Sequence, residues 1–365
     1  MTRRLLIVTV ILAMLLPAGA VWFVLYTEAG ARWVLGVARN ATGDALEWQR
    51  IDGSIADGLT LGRVTFATDG LYIAAEEIAA TAAPTLFPPG VMFESVEIQK
   101  LGLSIDSSSG LPASETDVAA IIESLRLPLL IRVDSLSIAN VTIEKDGTSL
   151  ADMNQVQLEL DWDEIIDLRS FTIDGGQALA ASGHASLGLN APFAVAAAVD
   201  ARARAAGNRL PTPLDMRLKL GGSLELLEVS LSEASLGLDV AGRLTALVED
   251  PGWDLEATLA GFIVDADAGI DIRDMRIGSV GTPAAYQLQA ELDVGGFVDT
   301  TPIRVAARAS GNGEGLDIAS LELDHPVARL GASGRLDFPA AFRGPVEIYE
   351  LELAQWLGRV DSTHV

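Results

Sequence analysis

The side chains that could carry out chemistry are few and far apart in this sequence. Its only histidines are His184, His325 and His364, and cysteine is absent. Without cysteine there can be no disulfide, thiol nucleophile or zinc–thiolate site. The sequence also lacks a GxSxG nucleophile elbow, a phosphate-binding loop, a dinucleotide fingerprint and an HExxH motif. We therefore expect no catalytic residue, no bound cofactor and no enzymatic activity.

The nearest approach to a metal site is a run of acids at alternate positions, Asp265, Asp267 and Asp271, with Gly269 between the last two. This spacing is similar to the start of a calcium-binding loop, but the third acid before the glycine and the closing glutamate are missing. The residues between the acids are apolar, which is typical of a strand with its acids on the solvent side. We predict a strand here and no metal site.

A different feature dominates the chain: an eight-residue pattern that is apolar at its first, third, sixth and eighth positions. The copies are Leu59, Leu61, Val64, Phe66; Val96, Ile98, Leu101, Leu103; Leu136, Ile138, Val141, Ile143; Ile166, Leu168, Phe171, Ile173; Leu224, Leu226, Val229, Leu231; Ile270, Ile272, Met275, Ile277; Leu316, Ile318, Leu321, Leu323; and Val346, Ile348, Leu351, Leu353. On a helix these positions fall at roughly 0°, 200°, 140° and 340°, so they form no stripe. The pattern therefore predicts strands.

The two residues in the middle of each copy determine on which face of the strand its apolar side chains lie. Side chains alternate between the faces of a strand, so a two-residue spacer would send half of the apolar groups to the opposite face of a flat sheet. A bulge or sharp bend at the spacer would return both halves to one face. Adjacent strands in an apolar chain can also produce such patterns by chance, but this many copies favour a real repeat.

Composition supports a chain built mainly of strands around a smooth apolar surface. Hydrophobic residues make up 49% of the chain, aromatic residues only 5%, and there are 35 glycines. Few aromatic rings suit a wide aliphatic lining better than a compact core. The net charge of −25 would repel phosphate backbones. Nucleic acid is therefore excluded as a partner.

The N-terminal segment predicts a membrane anchor. Residues 5–26 contain no charged side chain, and as a helix they would span about 33 Å, enough to cross a bilayer core. Arg3 and Arg4 precede them, so residues 1–4 are predicted to be a cytoplasmic stub and the rest to lie on the far side of the inner membrane, in the periplasm. The alternative is a cleaved signal peptide that ends near Pro17–Ala20.

Two short helices are predicted beyond the anchor. Thr27 can cap a helix that runs to about Ala41 with Trp33, Val34 and Val37 on one side, and we expect residues 27–45 to close one end of the following domain. Residues 115–126 form a second helix behind a capping box. Residues 46–365 are predicted to be a single β domain. Because the sequence stops just after a copy of the repeat, we expect the chain to be truncated there.

Three stretches carry a family resemblance: Ile51–Leu61 (IDGSIADGLTL), Leu127–Ile143 (LPLLIRVDSLSIANVTI) and Leu220–Leu231 (LGGSLELLEVSL). With the preceding anchor and short helix, they resemble the N-terminal region of the TamB family, the inner-membrane subunit of the translocation and assembly module, in the AsmA-like superfamily. The resemblance implies an elongated, curled β-sheet groove (a β-taco) whose apolar interior accommodates lipid acyl chains. It also implies a TamA-like outer-membrane barrel as partner, engaged by a C-terminal domain that is absent here.

The sequence leaves three functions open. The chain could be a conduit for phospholipids between the inner and outer membranes, with the first five copies of the repeat, from Leu59 to Leu231, lining the groove. It could be a scaffold that pairs a sheet edge with strands of outer-membrane proteins or autotransporters. The third hypothesis is a hydrolase or another binding module.

Overall fold

The computed structural model describes residues 23–43, 45–68, 70–86, 89–106, 119, 122–123, 125–126, 130–176, 179–203, 213–265, 270–295, 301–326, 328–337, 341–343 and 346–351. Strands dominate these residues, which confirms the prediction of a mostly β protein. The chain divides into two compact units, Met1–Leu189 and Asn190–Val365, called here the first and second units.

The first unit begins with helical residues. Phe23–Tyr26 are helical, Thr27 is not, and helix α1 spans Glu28–Ala41, the range that the sequence predicts. Thr27 acts as the cap, because its Oγ1 accepts a hydrogen bond from the Gly30 N–H at 3.0 Å and donates one to the Phe23 carbonyl at 2.6 Å. The entry into α1 is therefore fixed on both sides of the threonine.

Other predicted helices fall largely outside the described residues. Most of the predicted anchor, residues 5–22, lies there, and among the residues described no helix is both long and apolar enough to cross a membrane. Of the predicted helix at 115–126, the structure describes five residues, and Ala119, Ile122 and Glu123 among them are helical.

A single sheet makes up the rest of the first unit. Its strands are β1 (Leu46–Ser54), β2 (Gly58–Thr68), β3 (Leu71–Leu86), β4 (Pro89–Ile105), β5 (Leu130–Lys145), β6 (Thr148–Trp162), β7 (Ile165–Gly175) and β8 (Leu179–Gly188). Each strand pairs with the next, antiparallel at every step except β4–β5, which is parallel. A parallel step needs a long crossover, and residues 106–129 provide it.

The second unit is also one sheet. Its strands are β9 (Ala194–Ala203), β10 (Leu214–Ser223), β11 (Leu226–Glu233), β12 (Leu238–Thr245), β13 (Gly252–Asp265), β14 (Ile270–Thr282), β15 (Ala285–Gly295), β16 (Ile303–Asn312), β17 (Gly315–His325), β18 (Ala328–Asp337), β19 (Ala341–Arg343) and β20 (Val346–Leu351). Strands β9 to β18 pair in order and antiparallel, and β18 also pairs with β19 and β20.

Short turns set the register of these hairpins. Between β5 and β6, Asp146 and Gly147 have φ values of 51° and 75°. Positive φ at both central residues is the requirement of the two-residue turn that matches the twist of antiparallel strands, and Asp-Gly supplies it at little cost. Residues after the turn therefore meet fixed partners, beginning with Thr148 opposite Lys145.

Candidate functional site

The apolar repeat positions of the first unit line up across its strands. β5 carries four of them, Leu136, Ile138, Val141 and Ile143, and the same spacing continues back to Ile131 and Val133. Each of these six residues belongs to a row of paired apolar or small residues. The Ile138 row crosses all eight strands: Ile51, Leu61, Ile78, Ile98, Ile138, Val156, Ile173 and Ala181. The Leu136 row crosses them as well: Gly53, Leu59, Ala80, Val96, Leu136, Leu158, Phe171 and Gly183.

The other rows flank these two. The Val141 row runs Trp48, Val64, Ala75, Leu101, Val141 and Met153, and the Ile143 row runs Leu46, Phe66, Ile73, Leu103, Ile143 and Ala151. On the opposite side, the Val133 row runs Ala82, Phe93, Val133, Leu160, Leu168 and Ala185, and the Ile131 row runs Pro84, Val91, Ile131, Trp162, Ile166 and Leu187. All predicted lining residues of the first four copies lie in these six rows.

A crease separates the Ile138 row from the Val141 row. At this crease, one residue of each strand has no partner in the β-ladder. This holds for the pairs β1–β2, β2–β3, β3–β4 and β5–β6. Three of these residues, Arg50, Glu77 and Asn140, have a left-handed backbone with φ of 49°, 52° and 52°. A left-handed residue bends a strand sharply, which restores both halves of the repeat to one face. The predicted bend at the spacer is confirmed here.

A second crease separates the Leu136 row from the Val133 row. It is built from bulges, with one extra residue on β4 against β3, on β5 against β6, and on β7 against both neighbours. Arg169, in the β7 bulge, donates from Nη2 to the Val133 carbonyl and to Asp134 Oδ1, each at 3.2 Å. Arg132 pairs with Asp161 beside it, with Nε 2.8 Å from Oδ1. Charged groups thus occupy the polar side of the crease, and the apolar rows keep the other side.

Three further strands carry the repeat, which the sequence shows there only weakly, as in the variant over Leu71–Ile78 of β3. They are β1 with Leu46, Trp48, Ile51 and Gly53; β3 with Ile73, Ala75, Ile78 and Ala80; and β6 with Ala151, Met153, Val156 and Leu158. Alanine or glycine occupies several of their positions, and such small residues give little hydrophobic signal. A search that admitted small residues at the 1-3-6-8 positions would have found all three.

The rows form an apolar surface that is partly accessible to solvent. Leu61, Ile138 and Val141 are buried, with 6–8% of their surface exposed, whereas the other predicted lining residues of the first four copies are half-buried. Residues of a packed core would be buried throughout. A wide, partly exposed apolar surface is typical of a site that binds an apolar partner.

The opposite face of the same strands is polar. Glu97, Gln157, Thr172 and Ser182 alternate with the lining residues, and all four are exposed. Glu97 and Gln157 each pair with Ser137 of β5, so these polar residues also run across the sheet in register. The sheet of the first unit therefore has one face suited to water and one suited to hydrocarbon.

In the second unit an apolar row crosses ten strands. It runs Val199, Leu218, Leu231, Val240, Ala257, Ile277, Ala290, Ala307, Leu321 and Ala332, all half-buried. The reverse face carries ion pairs directly across β9 and β10, Arg202–Asp215 at 2.7 Å and Arg217–Asp200 at 2.8 Å. Hydrogen bonding to Arg202 lowers the pKa of Asp215. Opposite charges on facing positions favour this register.

The fifth copy of the repeat is not the kinked strand that the sequence predicts. Leu224 lies in the turn between β10 and β11, and Leu226 is 48% exposed at the start of β11. The buried leucine is Leu227, at 6% exposed, and it is followed by the half-buried Val229 and Leu231 in simple alternation. The interpretation was wrong because a hairpin turn, not a strand spacer, follows Leu224.

The sixth and seventh copies have the predicted bulges. β14 has an extra residue against β15 beside Asp274, whose φ is 47°. β17 has an extra residue at Ala319–Ser320 against both neighbours. In the eighth copy, β20 is paired with a register shift opposite Arg329 and Leu330, and Leu353 lies outside the described residues.

The residues that could have carried chemistry do not come together. His184 is exposed on β8, His325 is buried at the end of β17, and His364 lies outside the described residues. In the acidic run, Asp267 and Gly269 are also outside them, while Asp271 lies on β14 and pairs with Arg273. Within the described part of the chain, no three histidine or acidic side chains are grouped so that they could hold a metal ion.

One buried acid escaped sequence reasoning. Glu233, at the end of β11, is 2% exposed. Its carboxylate accepts hydrogen bonds from the Ser235 hydroxyl at 2.5 Å and from the backbone N–H groups of Leu236 at 2.7 Å, Ser235 at 3.1 Å and Asp215 at 3.3 Å. Burial alone would raise the pKa of Glu233, but these hydrogen bonds outweigh it and hold the pKa below its usual range. Glu233 therefore closes the β11–β12 turn.

Comparison with protein families gives a match over much of the first unit. The family model for TamB, N-terminal domain, matches residues 17–182. This range holds α1, β1 to β7 and the start of β8, and with them most of the creased apolar face. No curated protein and no solved structure matches the chain.

Proposed function

The chain is a TamB-like protein, and on that premise we propose that it carries phospholipids between the inner and outer membranes as a hydrophobic conduit. A TamB domain indicates a part in the outer-membrane biogenesis system of the TamB and AsmA type. Within that system the proposal gives the chain an inner-membrane anchor, a periplasmic position and a TamA-like barrel as partner.

The observation that carries the proposal is the set of apolar rows that run across the strands of the first unit. A row that crosses every strand without a charged residue gives an acyl chain continuous contact in the direction perpendicular to the strands. The two creases divide the rows into three panels of two rows each. We infer that these panels form the floor and walls of a trough.

Transfer energetics explain why such a surface would be useful. A lipid tail that moves from a bilayer into water loses about 0.8 kcal/mol for each methylene exposed, which is prohibitive for two chains. An apolar trough removes most of this cost, while the headgroup can stay in water. In this mechanism no residue is catalytic. The lining residues act through their shape and hydrophobicity alone.

Lipid extraction tests the proposal. The full chain, purified gently from membranes, is expected to carry phospholipid that mass spectrometry identifies. Leu101→Asp and Val156→Asp place a charge in the Val141 and Ile138 rows and should remove most of that lipid. Gln157→Asp places the same charge beside Val156 on the opposite, exposed face and should not. Equal lipid loss in Val156→Asp and Gln157→Asp would overturn the assignment of the binding face.

A second candidate function is a scaffold for the insertion or secretion of outer-membrane barrel proteins and autotransporters. The observation that favours it is β1, which among the described residues pairs with β2 alone. A client strand could add to the other edge of β1. Crosslinks from β1 backbone positions to a barrel protein, together with purified chain that carries no lipid, would support the scaffold over the conduit.

A further inference from the structure

The start of the first unit carries an exposed apolar surface that the proposed conduit does not use. Phe23, Tyr26, Trp33 and Val37 are 44%, 45%, 61% and 49% exposed. Trp33 and Val37 lie one turn apart on α1 and so share a side of the helix. Both side chains face solvent. We call these four residues the aromatic surface.

Close contacts at the start of α1, called here the joint, hold the aromatic surface toward solvent. The other side of α1 is buried, with Ala31 at 0% exposed and Leu25, just before the helix, at 8%. The Leu25 carbonyl accepts a hydrogen bond from the Ala56 N–H at 2.9 Å, which ties it to the turn between β1 and β2. A Cβ at Gly30 would lie 2.2 Å from the Phe23 carbonyl oxygen, so only glycine allows this approach. Trp33 and Val37 cannot turn inward without breaking the joint.

The position of the aromatic surface in the chain indicates its partner. It begins where the uncharged segment of residues 5–26 ends. Tryptophan and tyrosine are enriched where a protein crosses the boundary between hydrocarbon and lipid headgroups. Exposed aromatic residues at the end of a predicted membrane span match that depth.

Charge on α1 agrees with a lipid partner. The chain as a whole has a net charge of −25, but α1 contains Arg32 and Arg39 against a single acid, Glu28. Glu28 is itself paired with Arg32. The helix thus has a small positive excess within a strongly acidic chain, and positive side chains favour an anionic headgroup layer.

We propose that α1 lies on the membrane surface, with the aromatic surface inserted among the headgroups and upper acyl chains of the leaflet that faces the β-sheet units. Because Leu25 is bonded to the β1–β2 turn, this placement holds that turn against the bilayer. The proposal requires the predicted anchor but not the conduit, and it holds equally for a scaffold.

Fluorescence quenching tests the proposal, and the absence of cysteine makes labelling specific. Trp33→Cys and Val37→Cys of the full chain are labelled with bimane in vesicles of phosphatidylethanolamine and phosphatidylglycerol. Thr172→Cys, exposed on β7 of the same tethered chain, is the control. Labels at 33 and 37 should be protected from aqueous iodide by about five-fold or more relative to 172, and quenched by nitroxide on lipid acyl chains.

Two results would overturn the proposal. Iodide access at 33 and 37 equal to that at 172 would place the aromatic surface in water. Protection from iodide without quenching by acyl-chain nitroxide would mean that protein covers it, and concentration-dependent excimer formation between pyrene labels at 33 would identify a second copy. Lipid extraction from the purified chain is a separate measurement, so failure here leaves the conduit proposal standing.

Discussion

Leu101 of β4 and Val141 of β5 lie directly opposite each other across the parallel ladder. Each is the sixth residue of its copy of the repeat, and the other three apolar residues of these copies are opposite each other as well. A parallel ladder keeps equivalent residues side by side, whereas an antiparallel hairpin reverses their order. The apolar rows of the first unit pass through this step without a shift.

Removing backbone strain at the first crease should stabilise the first unit. Glu77 is exposed and has a φ of 52°, a conformation that glycine adopts freely and other residues adopt at a cost of about 1 kcal/mol. Glu77→Gly is expected to raise the free energy of unfolding by about 0.5–1 kcal/mol in urea titrations. Glu97→Gly, at an exposed position on β4 with ordinary φ, should lower it. A loss of stability in Glu77→Gly would contradict the assigned backbone conformation.

The second crease should depend on Arg169. This side chain donates to the Val133 carbonyl within the bulged region, so Arg169→Ala leaves that carbonyl without the bond and should cost about 1–2 kcal/mol of folding free energy. The change is measured by urea denaturation of the full chain. Arg217→Ala removes an exposed cross-strand ion pair on the polar face of the second unit and serves as the control, for which we expect little change. An equal loss of folding free energy in the two variants would mean that the hydrogen bond from Arg169 to the Val133 carbonyl does not stabilise the fold.

The stability of the second unit should depend on pH through Glu233. Its pKa is lower in the folded chain than in the unfolded chain, because four hydrogen bonds stabilise the carboxylate despite burial. The stabilisation is therefore complete above the ordinary glutamate range and is lost as the pH falls through the folded-state pKa.

Urea midpoints should show this loss directly. Glu233→Gln is expected to lower the midpoint near neutral pH, and its difference from the unmodified chain should shrink between about pH 7 and pH 3. Glu228→Gln, on the exposed face of β11, is the control and should show little difference at either pH. A difference for Glu233→Gln that is constant with pH would show that the carboxylate charge is not what stabilises the turn.

Sequence reasoning predicted the strands and bends where the repeat was made of large aliphatic residues. Copies such as Val96 to Leu103 have a periodicity that no helix can share, so both the strand and the bend followed from it. The repeat was missed in β1 and β6 and shows only as a weaker variant in β3, because alanine and glycine at key positions carry little signal. The Leu224 copy failed because leucines on either side of a hairpin turn imitate the same spacing.

Other features depend on contacts that the sequence does not show. The parallel pairing of β4 with β5 depends on the crossover through residues 106–129, and nothing in the two strands distinguishes it from a hairpin. Hydrophobicity alone cannot tell which side of α1 is buried, because Trp33 and Val37 are exposed whereas the smaller Ala31 is buried. Glu233 was missed because its hydrogen-bond donors belong to the turn that the folded chain forms.

Photo-crosslinking within one strand tests the central claim most directly. Benzoylphenylalanine replaces either Val156 or Gln157, neighbours on opposite faces of β6, in cells that have incorporated radiolabelled phospholipid precursors. The conduit predicts a lipid adduct at Val156 and almost none at Gln157. Adducts of equal intensity at both positions, or an adduct at Val156 that contains a barrel protein and no lipid, would contradict it.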